Sequence, residues 1–219
     1  MSYDKIMQIY DLLYEGYGPQ HWWPGETRFE VIVGAILTQN TNWANVEKAI
    51  ANLKAADSLT PQRLCDMPMA QLAELIRPAG YYNIKAGRLK NFLDWLFDNY
   101  NGDLMQLEHL NPEQMRRQLL TIKGIGAETS DSIVLYAYDK PVFVVDTYTC
   151  RVLGRHELIE SGADYEQVRE YFESNLPSDV KLFNEYHALF VRVGKEYCRP
   201  KPKCQDCPLA PLPHEICPT

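Results

Sequence analysis

The segment LLTIKGIGAETSDSIVLYAYDKPVFVVD, residues 119–146, decides how the rest of the chain is read. It has three parts. Ile122-Lys123-Gly124-Ile125-Gly126 is a tight turn. Ala127 to Tyr138 has helical spacing, with Ile133, Val134, Ala137 and Tyr138 directed towards a core. Val142 to Val145 is an apolar run that ends on one carboxylate, Asp146. Two glycines one residue apart permit positive-φ backbone and close approach to a ligand. Backbone N–H groups at such a turn, and at the start of the helix after it, form an anion site. A carboxylate directly after a buried run is fixed by what precedes it. One segment therefore offers a phosphate grip and a positioned acid. G-x-G before a helix is also a common tight turn. It is not a dinucleotide fingerprint here, because Ala127-Glu128-Thr129 follows in place of a third glycine.

The chain has 219 residues, enough for one large domain or two small lobes with an ample core. Hydrophobic residues make up 46% and charged residues 23%, as in ordinary soluble proteins. The first 17 residues, MSYDKIMQIYDLLYEGY, carry charges throughout and contain no signal-peptide core. Val31 to Leu37 is the longest apolar run and is too short to span a bilayer. A cytoplasmic protein, or a nuclear one if the source has a nucleus, with no membrane partner is expected. The net charge of −7 argues against a general polyanion binder. Local charge decides phosphate contact, however. Arg192, Lys195, Arg199, Lys201 and Lys203 share their window with Glu196 alone. Of six cysteines, Cys198, Cys204, Cys207 and Cys217 fall in the last 22 residues. Such clustering in a cytosolic protein points to metal or cluster ligation rather than disulfides, and the spacing alone does not choose between zinc and an iron–sulfur cluster. Cys65 and Cys150 read as ordinary core thiols.

Helical periodicity runs through the whole chain. Ile6, Ile9, Tyr10 and Leu13 mark a first amphipathic helix, and Phe29 to Leu37 a buried one. Helices are expected over Val46–Leu53, Leu64–Ile76 (as one or two pieces), Ala86–Tyr100, Thr147–Leu153, Tyr165–Ser174 and Val180–Tyr197. Thr60-Pro61 and Asn111-Pro112 each have the form of a cap followed by proline at the first helical position. The segments 16–25, 38–42 and 77–83 and the tail from Cys198 are expected as loops. No segment alternates with period two between hairpin turns. The fold class is all-α.

As a whole, residues 119–146 resemble the helix-hairpin-helix plus Gly/Pro-Asp signature of the endonuclease III superfamily of DNA glycosylases, running from Leu119 through Gly124-Ile125-Gly126 to Val145-Asp146-Thr147. The resemblance extends over nearly the whole chain. His21-Trp22-Trp23-Pro24, the run 35–41 and Arg77-Pro78-Ala79-Gly80-Tyr81-Tyr82-Asn83 are similar to the bacterial 3-methyladenine branch of that superfamily. The resemblance implies a central helical barrel at 25–139 carrying the hairpin. It implies a second lobe from 1–24 and 140–219, with the site in the cleft and a [4Fe–4S] cluster loop at 198–217. Cys198, Cys204, Cys207 and Cys217 would be the ligands. Their C-x5-C-x2-C-x9-C spacing departs from the superfamily's C-x6-C-x2-C-x5-C, and the longer last gap falls on Cys217.

The resemblance also assigns roles. Asp146 would be the catalytic carboxylate. Cleavage of an N-glycosidic bond builds positive charge on the sugar, which a carboxylate stabilises while it orients or deprotonates water. Taken by itself, Asp146 could equally cap the helix that starts at Thr147. At the position matching Glu128 the bifunctional enzymes hold an attacking lysine. A glutamate forms no Schiff base, so a monofunctional hydrolase is implied. Glu128 also suits the first turn of a helix as a favourable charge. Trp22, Trp23, Trp43 and Glu128 would lie at the base pocket, with Trp22 and Trp43 facing a flipped, methylated base. Gln39 and Tyr81 match the two positions that intrude into the duplex. Lys123, Gly124, Gly126, Arg199, Lys201 and Lys203 would contact phosphates. His187 reads as structural.

The function implied is a monofunctional DNA N-glycosylase of base excision repair, monomeric, acting on double-stranded DNA with a damaged base and associated with the nucleoid when bound. The expected base is an N-alkylated purine such as 3-methyladenine. One alternative is a sister enzyme for mismatched uracil or thymine, or for oxidised pyrimidines, whose pocket would need hydrogen-bonding groups rather than aromatic rings. The other is a non-catalytic iron–sulfur DNA-binding protein, for which Asp146 would be dispensable.

Overall fold

A computed structural model of the protein describes residues 3–160 and 162–214. Among these residues every regular element is helical. The chain divides into two compact units: Trp23–Lys140, and Met1–Trp22 together with Pro141–Thr219.

The unit Trp23–Lys140 contains α2 (Arg28–Leu37), α3 (Trp43–Ala55), α4 (Pro61–Asp66), α5 (Met69–Leu75), α6 (Tyr82–Tyr100), α7 (Pro112–Leu119) and α8 (Ala127–Ser132). Nine of the ten α2 residues are buried, so this helix is apolar all round and forms the centre of its unit. Polar caps begin the helices. Thr27, Asn42, Thr60 and Asn111 each accept an N–H of the first turn through the side chain. Pro61 and Pro112 occupy the first turn, where no N–H is needed. The reciprocal bonds of Asn111 and Gln114 complete a capping box.

Two helices start earlier than the apolar periodicity suggests. α3 begins at Trp43 because Asn42 caps it, three residues before the expected start at Val46. α6 begins at Tyr82, behind Gly80 and Tyr81, both of which take positive φ. The other helix ends agree with the expected ones to within a few residues, with the fraying usual at termini. After Ser132 the helix widens into a π-turn over Ile133–Ala137, all of it buried. Periodicity does not register such a change of pitch, and π-turns occur frequently at functional sites.

The other unit contains α1 (Tyr3–Tyr17), α9 (Thr147–Arg155), α10 (Tyr165–Asn175) and α11 (Val180–Glu196). Its core is aromatic. Phe143 stacks on Phe172 at 3.8 Å, and Tyr186 stacks on Phe190 at 4.7 Å. The Tyr186 hydroxyl donates to the Ile6 carbonyl at 2.7 Å, which ties α1 to α11. The run Val142–Val145 is irregular and fully buried, so both of its faces are covered. α9 packs along α11. Gly194 is the point of closest approach, where any β-carbon would collide with the Tyr148 ring.

The first unit also encloses an ion pair. Arg116 Nε donates to Asp131 Oδ1 at 2.6 Å, and both side chains are buried. Removing one partner strands a charge in the interior, at a cost of about 3–5 kcal/mol, whereas replacing both by apolar groups avoids that penalty. Asp131→Asn is therefore expected to lower the unfolding free energy in urea by several kcal/mol, and Arg116→Met with Asp131→Leu to recover most of the loss. A double variant no better than the single one would contradict this account.

Candidate functional site

Asp146 ends the buried run and caps α9. Its Oδ1 accepts from the Thr149 backbone N–H at 2.7 Å and from the Thr149 hydroxyl at 2.9 Å. Oδ2 lies 3.6 Å from His187 Nε2, on α11. The cap anticipated for Asp146 therefore exists, and it uses one carboxylate oxygen. The side chain is 9% exposed. Burial pushes its pKa up, but the neighbouring His187 imidazole and the bonds from Thr149 outweigh burial, and the carboxyl is held below its usual value. His187, read from sequence as structural, lies beside the Asp146 carboxylate. It lies seven residues before Gly194, two helical turns from the point where α9 and α11 touch. A lone histidine in an apolar helix gives no signal of this in sequence. The pattern Asp146-x-x-Thr149 does give one, since it matches an N-cap bonding to the N3 residue.

The hairpin belongs to the other unit. Gly124 has φ +96° and lies against the Arg88 side chain. Gly126 differs from the expectation for a pair of positive-φ glycines. It is extended, with φ −96° and ψ −179°, and has open space where a β-carbon would point. It is also the N-cap of α8, with no side chain to accept the first-turn N–H groups. Lys123 and Glu128 are exposed on either side of it. α6 supports the turn, as Asn91 Nδ2 donates to the Lys123 carbonyl at 2.8 Å.

Gln39 is drawn onto this hairpin. Its Nε2 donates to Thr129 Oγ1 at 2.8 Å and to the Gly124 carbonyl at 3.2 Å, while its Oε1 accepts from Arg88. Tyr81 is 68% exposed and adopts φ 46°, a left-handed conformation that costs free energy for a residue with a β-carbon. Both turns are anchored by one residue that motif reading missed. Lys85 is 1% exposed, and its ammonium donates to the Leu37 carbonyl at 2.9 Å and the Ala79 carbonyl at 2.7 Å. Each carbonyl lies two residues before Gln39 or Tyr81. Burial, and then the nearby Arg88 charge, push Lys85 down to about 8. A lysine on a half-polar helix reads as solvated, so the sequence carries no sign of this role.

Trp23, Trp43 and Tyr136 form an aromatic cluster in the same unit. The Trp23 ring meets Trp43 edge-on at 4.9 Å and Tyr136 at 5.1 Å. Gly34 of α2 leaves room for both indoles. Tyr136 comes from the π-turn, and the sequence reading placed no functional weight on it. Trp22 is half-buried at the end of the other unit.

In the tail, Cys198 is buried and Cys204 and Cys207 are half-buried. The three line one cavity with Arg155, His156 and His214. Arg155 donates to Cys198 Sγ at 3.1 Å, and Arg151 donates to the Cys198 carbonyl at 2.8 Å. Burial raises the Cys207 thiol pKa, and the neighbouring Cys198 and Cys204 add to this. Among the described residues, no three His, Cys, Asp or Glu side chains are drawn together as a metal site. Cys217 lies outside the described residues. Arg199, Lys201 and Lys203 are exposed, whereas Arg192 pairs with Glu196 at 2.8 Å and covers the Tyr17 ring.

A carboxyl whose pKa falls on folding stabilises the protein above the unfolded value of about 3.9. That contribution is lost as pH falls through the folded value. In urea unfolding between about pH 3 and pH 7, wild type should lose stability more steeply than Asp146→Asn below about pH 4. Asparagine retains the cap, so parallel profiles would refute this account of Asp146.

Comparison with known proteins places the chain in a family. Residues 33–178 match the HhH-GPD superfamily of base excision DNA repair proteins. A protein of Methanocaldococcus jannaschii, provisionally named a DNA repair glycosylase, is 49% identical over 95% of both chains. Endonuclease III of Sulfolobus acidocaldarius is 30% identical over 84% of this chain and 81% of its own. The structure of the Helicobacter pylori 3-methyladenine DNA glycosylase bound to 1,N6-ethenoadenine superposes with a TM-score of 0.73, at 28% identity, covering 90% of this chain and 98% of that one. The chain belongs to the HhH-GPD superfamily of base excision DNA repair proteins and is a DNA glycosylase of that family.

Proposed function

We propose that the protein is a monofunctional DNA glycosylase that removes an N-alkylated purine, such as 3-methyladenine, from duplex DNA by hydrolysis through Asp146. The observation that carries this reading is the Asp146 carboxylate, held ionised by Thr149 and His187. The C1′–N bond breaks and its electron pair leaves with the base. A cationic base departs neutral and needs no general acid. The carboxylate stabilises the positive sugar and takes a proton from the water that attacks C1′, leaving an abasic site.

Flipping the base costs a few kcal/mol of unstacking. Stacking on Trp22 and Trp43, beside Trp23, returns about 1–3 kcal/mol. A base with positive charge gains about 0.5–2 kcal/mol more on an electron-rich ring. Gln39 and Tyr81 would fill and wedge the duplex. Lys123 with the Gly124 and Gly126 backbone would grip one strand, and Arg199, Lys201 and Lys203 would meet further phosphates. Glu128 stands where an amine nucleophile would be needed for a lyase step. The similarity to the Helicobacter pylori enzyme supports the choice of base.

Release should be measured on duplexes carrying 3-methyladenine, hypoxanthine, uracil and oxidised pyrimidines. Asp146→Asn is expected to lose at least 100-fold in release (about 2.7 kcal/mol in the barrier) while still binding the duplex. Borohydride should trap no covalent adduct with the wild type. Undiminished release by Asp146→Asn, or a trapped adduct, would overturn the corresponding part of the proposal.

Cys198, Cys204 and Cys207 around one cavity, which His156 and His214 also line, supply thiolates that fit a [4Fe–4S] cluster. Cys217 would complete the ligand set. When bound, the cluster would cross-link the tail and fix the loop that presents Arg199, Lys201 and Lys203. Purified protein should absorb broadly in the visible and contain about four irons per chain, and Cys204→Ser should lose both. One zinc and no visible absorption would exclude the cluster.

A further inference from the structure

Glu47 lies one helical turn after Trp43 on α3, and its Oε1 accepts the Trp43 indole N–H at 2.7 Å. The carboxylate is exposed, and among the described residues it makes no ion pair. Further along α3, Lys54 pairs with Glu26 at 2.8 Å and with Glu30 at 2.9 Å. Glu47 brings a carboxylate that no ion pair takes up to the edge of Trp43, which clusters with two further electron-rich rings, Trp23 and Tyr136. A carboxylate that accepts an indole N–H has two effects. It restrains the ring, and it places a full negative charge at the ring's edge. The quadrupole of an aromatic face already attracts cations, and an adjacent anion reinforces that attraction without favouring a neutral ring.

We propose that Glu47 is a specificity-determining residue that makes the Trp43 ring selective for bases carrying positive charge. The class it favours is the cationic N-alkylated purines, as against neutral lesions of the same shape. This rests on the assignment of Trp43 to the base pocket made above. It goes beyond that assignment in naming the charge of the base as the quantity read and Glu47 as the residue that reads it.

Glutamine at position 47 separates the two effects, because its amide oxygen accepts the same indole bond and carries no charge. The test compares kcat/KM for release of 7-methylguanine or 3-methyladenine with release of neutral hypoxanthine or 1,N6-ethenoadenine. Wild type, Glu47→Gln and Glu47→Ala are measured at two ionic strengths. The ratio cancels any general effect of the charge on duplex binding. Glu47→Gln is expected to lower the ratio of cationic to neutral release about five- to tenfold, with the larger difference at low salt. Unchanged tryptophan emission and unchanged thermal unfolding would show that the ring has kept its place. If Glu47→Gln leaves the ratio unaltered while Glu47→Ala depresses both classes equally, Glu47 only holds the ring and the proposal is overturned. If wild type releases no alkylated base, the pocket assignment falls and this inference falls with it. Release by wild type with an unaltered ratio in Glu47→Gln removes this inference alone.

Discussion

The bond from the Thr149 backbone N–H to Asp146 Oδ1 is the interaction on which one half of the candidate chemistry depends. It serves two ends with the same atoms. As a cap it satisfies a donor at the head of α9, which would otherwise be lost to water or left unpaired. As a restraint it fixes one carboxylate oxygen and so determines where the other lies. The buried run Val142–Val145 holds the backbone from one side. The Thr149 hydroxyl and the His187 imidazole act on the carboxylate from the other. A carboxyl this deeply buried would ordinarily favour its neutral form. The Thr149 bonds and the neighbouring imidazole oppose that preference and hold the carboxyl below its usual pKa. The close packing of α9 on α11 at Gly194 is what brings His187 within reach.

The other unit solves a comparable problem with a cation. Lys85 is buried, and its ammonium bonds the final carbonyl of α2 and a carbonyl of the turn before Tyr81. A helix leaves its last carbonyls unsatisfied. Here one side chain from a third element takes up such a carbonyl and links two turns that would otherwise move independently. Arg88, one turn further along α6, then reaches Gln39 and packs on Gly124. α6 is therefore the scaffold of this unit: successive turns of one rigid helix support the Gln39 turn, the Tyr81 turn and the hairpin. Mobile loops would lose that mutual placement to conformational entropy.

Much of this was legible in the chain itself, and the reasons are local. The all-helical class follows from apolar spacing, and the caps at Thr60 and Asn111 follow from residue type followed by proline. The hairpin and Asp146 could be located because a turn, a helix and a carboxylate at fixed spacing form a contiguous pattern. Three misreadings also have local causes. The start of α3 was expected at Val46 rather than Trp43 because the helix-starting side chain, Asn42, sits among other polar residues that look alike. Gly126 was expected at positive φ, whereas it is extended and its lack of a β-carbon leaves space instead. The π-turn at Ile133–Ala137 was invisible because every residue in it is buried whichever pitch the helix adopts.

The secondary structure class, the hairpin, the acid at 146, the aromatic residues and the cysteine-rich tail can be read along the chain, since each depends on neighbours within a few positions. What surrounds them is set by packing. His187 at Asp146, Lys85 beneath Gln39 and Tyr81, Tyr136 beside Trp23, and Arg155 at Cys198 Sγ each join residues far apart in sequence. None of these partners has a residue type that announces its role, because a histidine, a lysine or a tyrosine on a helix looks the same whether it faces water or a buried partner. The distinction lies in burial and in the donor or acceptor met there. Those are properties of the packed chain, and the free-energy cost of leaving a buried polar group unpaired is what selects the arrangement.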